Sequence, residues 1–241
     1  MSARHAGDDQ TTVSTDDRER IRAAVEYWFD AKAEQLAQVL TTGRSQGGTR
    51  DAVVGGKHLD GFNTLVVDEL RRLGVPGLSF RLNTQATLPG YYRASKSWDL
   101  LVLRRGEPIL AVEYKSMKGS EGKNLNNRMD EVLGVGEDLR AAQAHGLVSR
   151  GLRRAYIFVM EATPAVLTPV RTRGIVGAPD PVFEDASYLD RMGIICERIR
   201  DGGLYDMTWA IAATSNPTDF YEPNPRVGWE RFATDLTECF E

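Results

Sequence analysis

The chain has 241 residues and a mass of 26.7 kDa, with 41% hydrophobic and 27% charged residues, the profile of an ordinary globule with room for one large α/β core. A formal net charge of -4 excludes a nucleic-acid surface made by bulk basicity, so any such surface has to come from local clusters of Lys and Arg. Two cysteines, Cys196 and Cys239, exclude a disulfide framework and a zinc site and are expected reduced and buried. No apolar run approaches membrane-spanning length and no signal-peptide core opens the chain, which predicts a cytoplasmic protein.

Residues 1–14 are polar and aperiodic and read as a flexible tail. Thr15, Asp16 and Asp17 offer an N-cap and an acidic first turn. Ile21, Val25, Trp28, Phe29, Leu36, Val39 and Leu40 follow at helical spacing. A glycine-rich segment carrying Arg44, Arg50 and Lys57 leads to a second helix that begins near Asp60 and ends at Gly74. Leu78 to Thr84 predicts a strand, TLPGYYRASK a loop, and SWDLLVLRRGEPILAVEYKSMKG a β-hairpin. A helix is expected over about 127–145 with Leu133, Leu139 and Ala142 inward, then a buried strand over 154–160. A long proline-punctuated loop follows, then a helix over 188–200, a last strand over 207–213 and a helix over 229–240. This order predicts a mixed α/β fold with one sheet and no repeats.

The hairpin holds the chemistry. Its strands, LLVL and ILAV, are apolar enough for a sheet covered on both faces, yet Asp99, Glu113 and Lys115 lie on them. Period-2 alternation puts Glu113 and Lys115 on one face, and pairing residue 99 with residue 113 brings Asp99 to it. That register also pairs 104 with 108 and leaves Arg105, Gly106 and Glu107 as the loop. Buried charges of this kind are costly unless they hold a metal or do chemistry. A buried structural ion pair, or a register that turns Asp99 away, is the competing reading.

Asp99 followed by Glu113-x-Lys115 resembles the site of the PD-(D/E)XK nucleases, with Trp98 in place of the usual proline. EYKS followed by NLNNRMDEVLG, together with GTRDAVVGGKHLDGF, LPGYYRASKSWDL and SYLDR, is similar to the XhoI family of type II restriction endonucleases, from about Thr49 to about Arg200. The resemblance implies a restriction-endonuclease-like fold, a central mixed β-sheet flanked by helices, in a single domain over residues 1–241. It further implies a homodimeric, Mg²⁺-dependent enzyme that cuts double-stranded DNA at CTCGAG after the first C, leaving a TCGA 5′ overhang. A cognate adenine methyltransferase would act on the same site.

Under that reading Asp99 and Glu113 are the metal carboxylates, and the backbone carbonyl of Tyr114 is a third ligand. Lys115 would orient or deprotonate the attacking water, or stabilise phosphorane charge. Asp60 is a candidate fourth ligand and Glu69 its alternative, unless that acid is surface charge. Lys123, Asn124, Asn126, Asn127 and Arg128 suit base reading, since Asn pairs with adenine and Arg with guanine, although such Asn clusters also cap helices. Arg171 and Arg173, with Arg44, Arg50 and Lys57, are candidate backbone clamps. A structure-selective or repair nuclease of the same superfamily, a non-cleaving DNA-binding module, an unrelated enzyme and a family member with another recognition sequence are the alternatives. The three histidines, His5, His58 and His145, adjoin no serine elbow, which disfavours Ser–His–Asp chemistry.

Overall fold

The computed structural model describes residues 13–42, 57–118, 121–171 and 176–240. Helix α1 (Thr15–Thr42) is followed by a 3₁₀ turn (Lys57–Leu59) and α2 (Asp60–Arg72). Then come β1 (Leu78–Leu82), β2 (Thr87–Pro89), β3 (Ser95–Ser97), β4 (Leu100–Arg104) and β5 (Glu107–Met117). α3 (Glu121–Ala144) leads to β6 (Arg153–Glu161), a short α4 (Pro164–Leu167) and α5 (Tyr188–Asp201). β7 (Met207–Ser215), β8 (Thr218–Tyr221) and α6 (Trp229–Glu238) end the described chain.

Six strands form one mixed sheet in the order β1-β4-β5-β6-β7-β8, while β2 and β3 pair only with each other. The β5–β6 and β6–β7 pairings are parallel and the others antiparallel. Parallel strands need cover on both faces, and they have it. Ile21 and Trp28 of α1, Phe62 and Leu70 of α2, and Phe232 of α6 bury one face together with Val112 and Tyr114. Leu125, Val132 and Leu139 of α3, with Met192, Ile195 and Cys196 of α5, bury the other together with Ala111 and Met117. This is the restriction-endonuclease-like architecture. No helix among the described residues is long and apolar enough to cross a membrane.

Several expected boundaries move. Ser14, not Thr15, caps α1, its Oγ accepting from the Asp17 N–H at 3.1 Å. Helix α3 starts at Glu121 instead of near Asn127, and its inward residue is Val132, whereas Leu133 is 41% exposed. The stretch expected to be a loop before the hairpin forms the β2–β3 ribbon, a second sheet, and β7 is followed by a further strand, β8. Cys196 is buried and Cys239 only half-buried, both free. The tail over 1–12 and the segment with Arg44 and Arg50 lie outside the described residues, as do the side chains of Leu36, Val39 and Leu40.

The central hairpin differs from expectation at its tip. Arg104 pairs with Glu107, leaving Arg105 and Gly106 as a two-residue loop with φ of 53° and 88°, the signature of a type I′ turn. One strand residue then goes unpaired: Leu103 faces Pro108, Val102 faces Leu110, and Ile109 bulges between them. Beyond the bulge Leu100 pairs with Val112, the register expected, and the ladder ends one residue short of Asp99, whose Oδ2 accepts from the Tyr114 N–H.

A Cβ on Gly106 would meet nothing within 4 Å, so its substitution isolates the left-handed backbone cost. Gly106→Ala should lower stability by about 1–2 kcal/mol. Gly134, inside α3 with equally open space around a Cβ, should gain up to about 1 kcal/mol when made Ala. Urea unfolding of the two variants checks both signs.

Candidate active site

Because side chains alternate, Glu113 and Lys115 leave β5 on the α3 face, while Val112, Tyr114 and Ser116 leave it on the α1–α2 face. Asp99, one residue before β4 begins, joins them there, close enough for the Glu113 carboxylate to act on it. Its Oδ2 accepts from the Tyr114 N–H at 2.7 Å, which ties the carboxylate to the next residue of β5. The Glu113 side chain is 3% exposed and both of its oxygens are engaged. Lys115 Nζ lies 2.5 Å from Oε1, and Lys96 Nζ, from β3, lies 2.9 Å from Oε2. Glu131 of α3 stands 3.9 Å from the same Lys115 ammonium and 2.7 Å from Arg128 Nη1.

Burial, reinforced by the Glu113 carboxylate, pushes Asp99 up from 3.8 to about 6, against the pull of the Tyr114 N–H and the two lysines. For Lys115 burial acts downward, but Glu113 and its hydrogen bond, with Asp99 and Glu131, outweigh it and raise the ammonium above its ordinary value. Lys115 is therefore a cation in the metal-free protein.

No group of three His, Cys, Asp or Glu side chains among the described residues converges as a metal site. Two carboxylates suffice for Mg²⁺, which keeps waters and takes substrate phosphate oxygens for the rest of its shell. Asp99 and Glu113 supply two such carboxylates, and the backbone of Tyr114 adjoins them, its N–H bonded to Asp99.

The sequence profile of restriction endonuclease XhoI matches residues 38–222. The chain belongs to the XhoI family of type II restriction endonucleases. It is 33% identical over 183 residues to the type II restriction enzyme XhoI of Xanthomonas vasicola, covering 74% of this chain and 73% of that one. It is 38% identical over 160 residues to the type II restriction enzyme BstVI of Geobacillus stearothermophilus, covering 63% of this chain and 71% of that one. With AbrI of Azospirillum brasilense, also a type II restriction enzyme, identity is 37% over 112 residues, 45% of this chain and 50% of that one. No solved structure matches the chain. As a type II restriction endonuclease it is a site-specific deoxyribonuclease.

The restriction-endonuclease fold gathers Asp99, Glu113 and Lys115 but not Asp60. That residue opens α2 on the opposite face of the sheet, where the preceding His58 Nε2 meets Ser116 Oγ at 2.8 Å. Glu69 pairs with Arg20 at 2.8 Å and is a structural link between α1 and α2. Asn126, Asn127 and Arg128 lie inside α3, past its first turn, so none caps it. Asn126 and Asn127 are exposed and Arg128 is bound to Glu131. Asn124 is half-buried, and the side chains of Lys123 and Lys57 lie outside the described residues. Arg171 is exposed, and Arg173 lies outside the described residues.

Lys96 escaped the sequence, because no spacing links it to Glu113. Its only trace is its place within LPGYYRASKSWDL, two residues from Trp98.

The raised Asp99 has a measurable consequence. An acid with an elevated folded-state value stabilises the fold most below its unfolded value and loses that contribution as pH climbs through the folded one. In metal-stripped protein, Asp99→Asn should gain thermal stability relative to wild type between pH 3.8 and about 6 and hold the gain above. A difference in melting temperature that is flat across this range would contradict the buried, Glu113-facing placement.

Proposed function

We propose that the chain is a homodimeric, Mg²⁺-dependent enzyme that hydrolyses duplex DNA at CTCGAG, cutting after the first C to leave a TCGA 5′ overhang. The observation that carries the hydrolytic part is the convergence of the half-buried Asp99 and Lys115 on the buried Glu113 at one face of the sheet. The similarity to XhoI over 74% of the chain supports the recognition sequence. The same reading makes the protein a single cytoplasmic domain, with an adenine methyltransferase protecting the host's copies of the site.

Asp99, Glu113 and the Tyr114 carbonyl would hold the ion, which when bound acts as Lewis acid and lowers the pKa of its water. Lys115, kept cationic by Glu113, is suited to orient the attacking water and to offset charge gathering on phosphorus. Proton removal then falls to bulk water or a phosphate oxygen. Asn126 and Asn127, exposed near the start of α3, can pair with adenine, and Arg128 with guanine once it leaves Glu131. A two-fold dimer reads both halves of a palindrome with one copy of this helix per subunit.

Plasmid cleavage with Mg²⁺, set against EDTA, tests the reading. Discrete fragments ending in TCGA overhangs are expected, discrete fragments with other ends mean a different recognition sequence, and a smear means a repair-type nuclease. Asp99→Asn and Glu113→Gln should each fall below a few per cent of wild-type cleavage with folding intact. Arg128→Ala should lose about 1–3 kcal/mol of preference for CTCGAG over a duplex with the guanine replaced, measured in Ca²⁺ at fixed salt, with little change in non-specific affinity. An unchanged preference would move recognition to the loop carrying Arg171 and Arg173.

A further inference from the structure

Glu113 is a buried carboxylate with an ammonium on each oxygen, and the two ammonium groups come from different sheets. Lys115 is its neighbour on β5. Lys96 reaches it from β3 and is held by two further contacts: Nζ donates to the Ser97 carbonyl at 2.5 Å and lies 5.4 Å from the Trp98 ring centre. The Trp98 side chain is itself 2% exposed, so the platform beneath Lys96 is rigid.

Counting charge across the pocket, Asp99 and Glu113 balance Lys96 and Lys115. A divalent cation entering between the carboxylates meets two obstacles. Oxygen Oε2 of Glu113 is already occupied by Lys96, and once the ion is in place the pocket carries two uncompensated positive charges in a poorly hydrated site. A phosphate of duplex DNA removes both obstacles, since it brings negative charge and accepts hydrogen bonds from a displaced ammonium.

We infer that Lys96 is a placeholder cation: it occupies the open oxygen of Glu113 in the free protein, resists divalent metal there, and transfers to a DNA phosphate when substrate arrives. Lys96 is on this account a positioning residue that couples metal binding to DNA binding. The inference rests on the reading of Asp99 and Glu113 as metal ligands.

The test measures Ca²⁺ binding by calorimetry, without DNA and with a CTCGAG duplex, in wild type, Lys96→Met, Lys96→Arg and Lys118→Met. Wild type should bind Ca²⁺ weakly alone and more tightly with the duplex. Lys96→Met should raise the DNA-free affinity by about tenfold and shrink the enhancement given by DNA, because coupling is reciprocal. Lys96→Arg, which keeps the cation, should behave as wild type. Lys118→Met removes a cation paired with Glu161 at 3.2 Å and should change the DNA-free affinity far less. Lys96→Gln repeats the measurement if circular dichroism shows the Met variant misfolded. An unchanged or weakened DNA-free affinity on losing the Lys96 charge overturns the inference, as does an equal gain from Lys118→Met. Absence of Ca²⁺ binding in every protein, with duplex present, would instead overturn the metal reading of Asp99 and Glu113, and the inference with it.

Discussion

One unpaired residue, Ile109, determines on which side of the sheet Asp99 emerges. The type I′ turn at Arg105 and Gly106 sets a register at the tip that, continued unchanged, would place Asp99 opposite Val112. Val112 points into the apolar layer shared by α1, α2 and α6, where a carboxylate would find no partner. The bulge shifts the ladder by one and turns Asp99 to the face of Glu113. Bulges beside active sites re-aim side chains, and here the re-aimed group is half of the acidic pair.

The rest of the pocket follows from that placement. Two carboxylates brought together under α3 are costly: burial first, and the Glu113 charge second, raise Asp99. The fold offsets this with an ammonium from β5, an ammonium from β3 and the Tyr114 N–H. The small β2–β3 ribbon is thereby part of the site's electrostatics, although it contributes nothing to the main sheet. Its tip is fastened to α3 by Asp138, 2% exposed, whose Oδ1 accepts from the N–H groups of Tyr91 and Tyr92 at 2.9 and 2.7 Å and whose Oδ2 meets Arg93 at 3.0 Å. Asp138 thus links the helix that carries Asn126 to Arg128 with the ribbon that carries Lys96.

Much of this was legible in the sequence because the hairpin contradicts itself there: acids inside apolar strands are a local signal, and period 2 fixes their faces. The loop expected at Arg105 to Glu107 is one residue too long, yet the bulge compensates and Leu100 faces Val112, as the expected register requires. The start of α3 is hidden because its first turns are polar and, among the described residues there, Leu125 alone is buried, too little for a helical stripe to show. The ribbon was hidden because three-residue strands with one inward residue, Leu88 or Lys96, carry no periodicity. β8 lies behind the turn at Asn216 and Pro217, which ends the strand pattern, and helical spacing does not separate Leu133 from its buried neighbour Val132. Lys96 leaves no periodic signal, since its contact with Glu113 joins two sheets and depends on tertiary packing.

The pairing order of β5 bears on how such an enzyme is made. Asp99, Glu113, Lys115 and Lys96 are encoded within one short stretch, and a ribosome releases all four before β6 exists. Yet the wall around Glu113 is built by Tyr156 of β6, its parallel partner, and by α3. Parallel pairing of segments so far apart is among the slower steps of folding. A nascent chain ending near Lys118 already carries Lys96, Asp99, Glu113 and Lys115 but lacks the wall that packs them together, and without burial carboxylates and ammonium groups interact only weakly. Catalytic competence is thus deferred to the later half of synthesis, a useful delay for a protein that cuts the kind of molecule its own gene is written in.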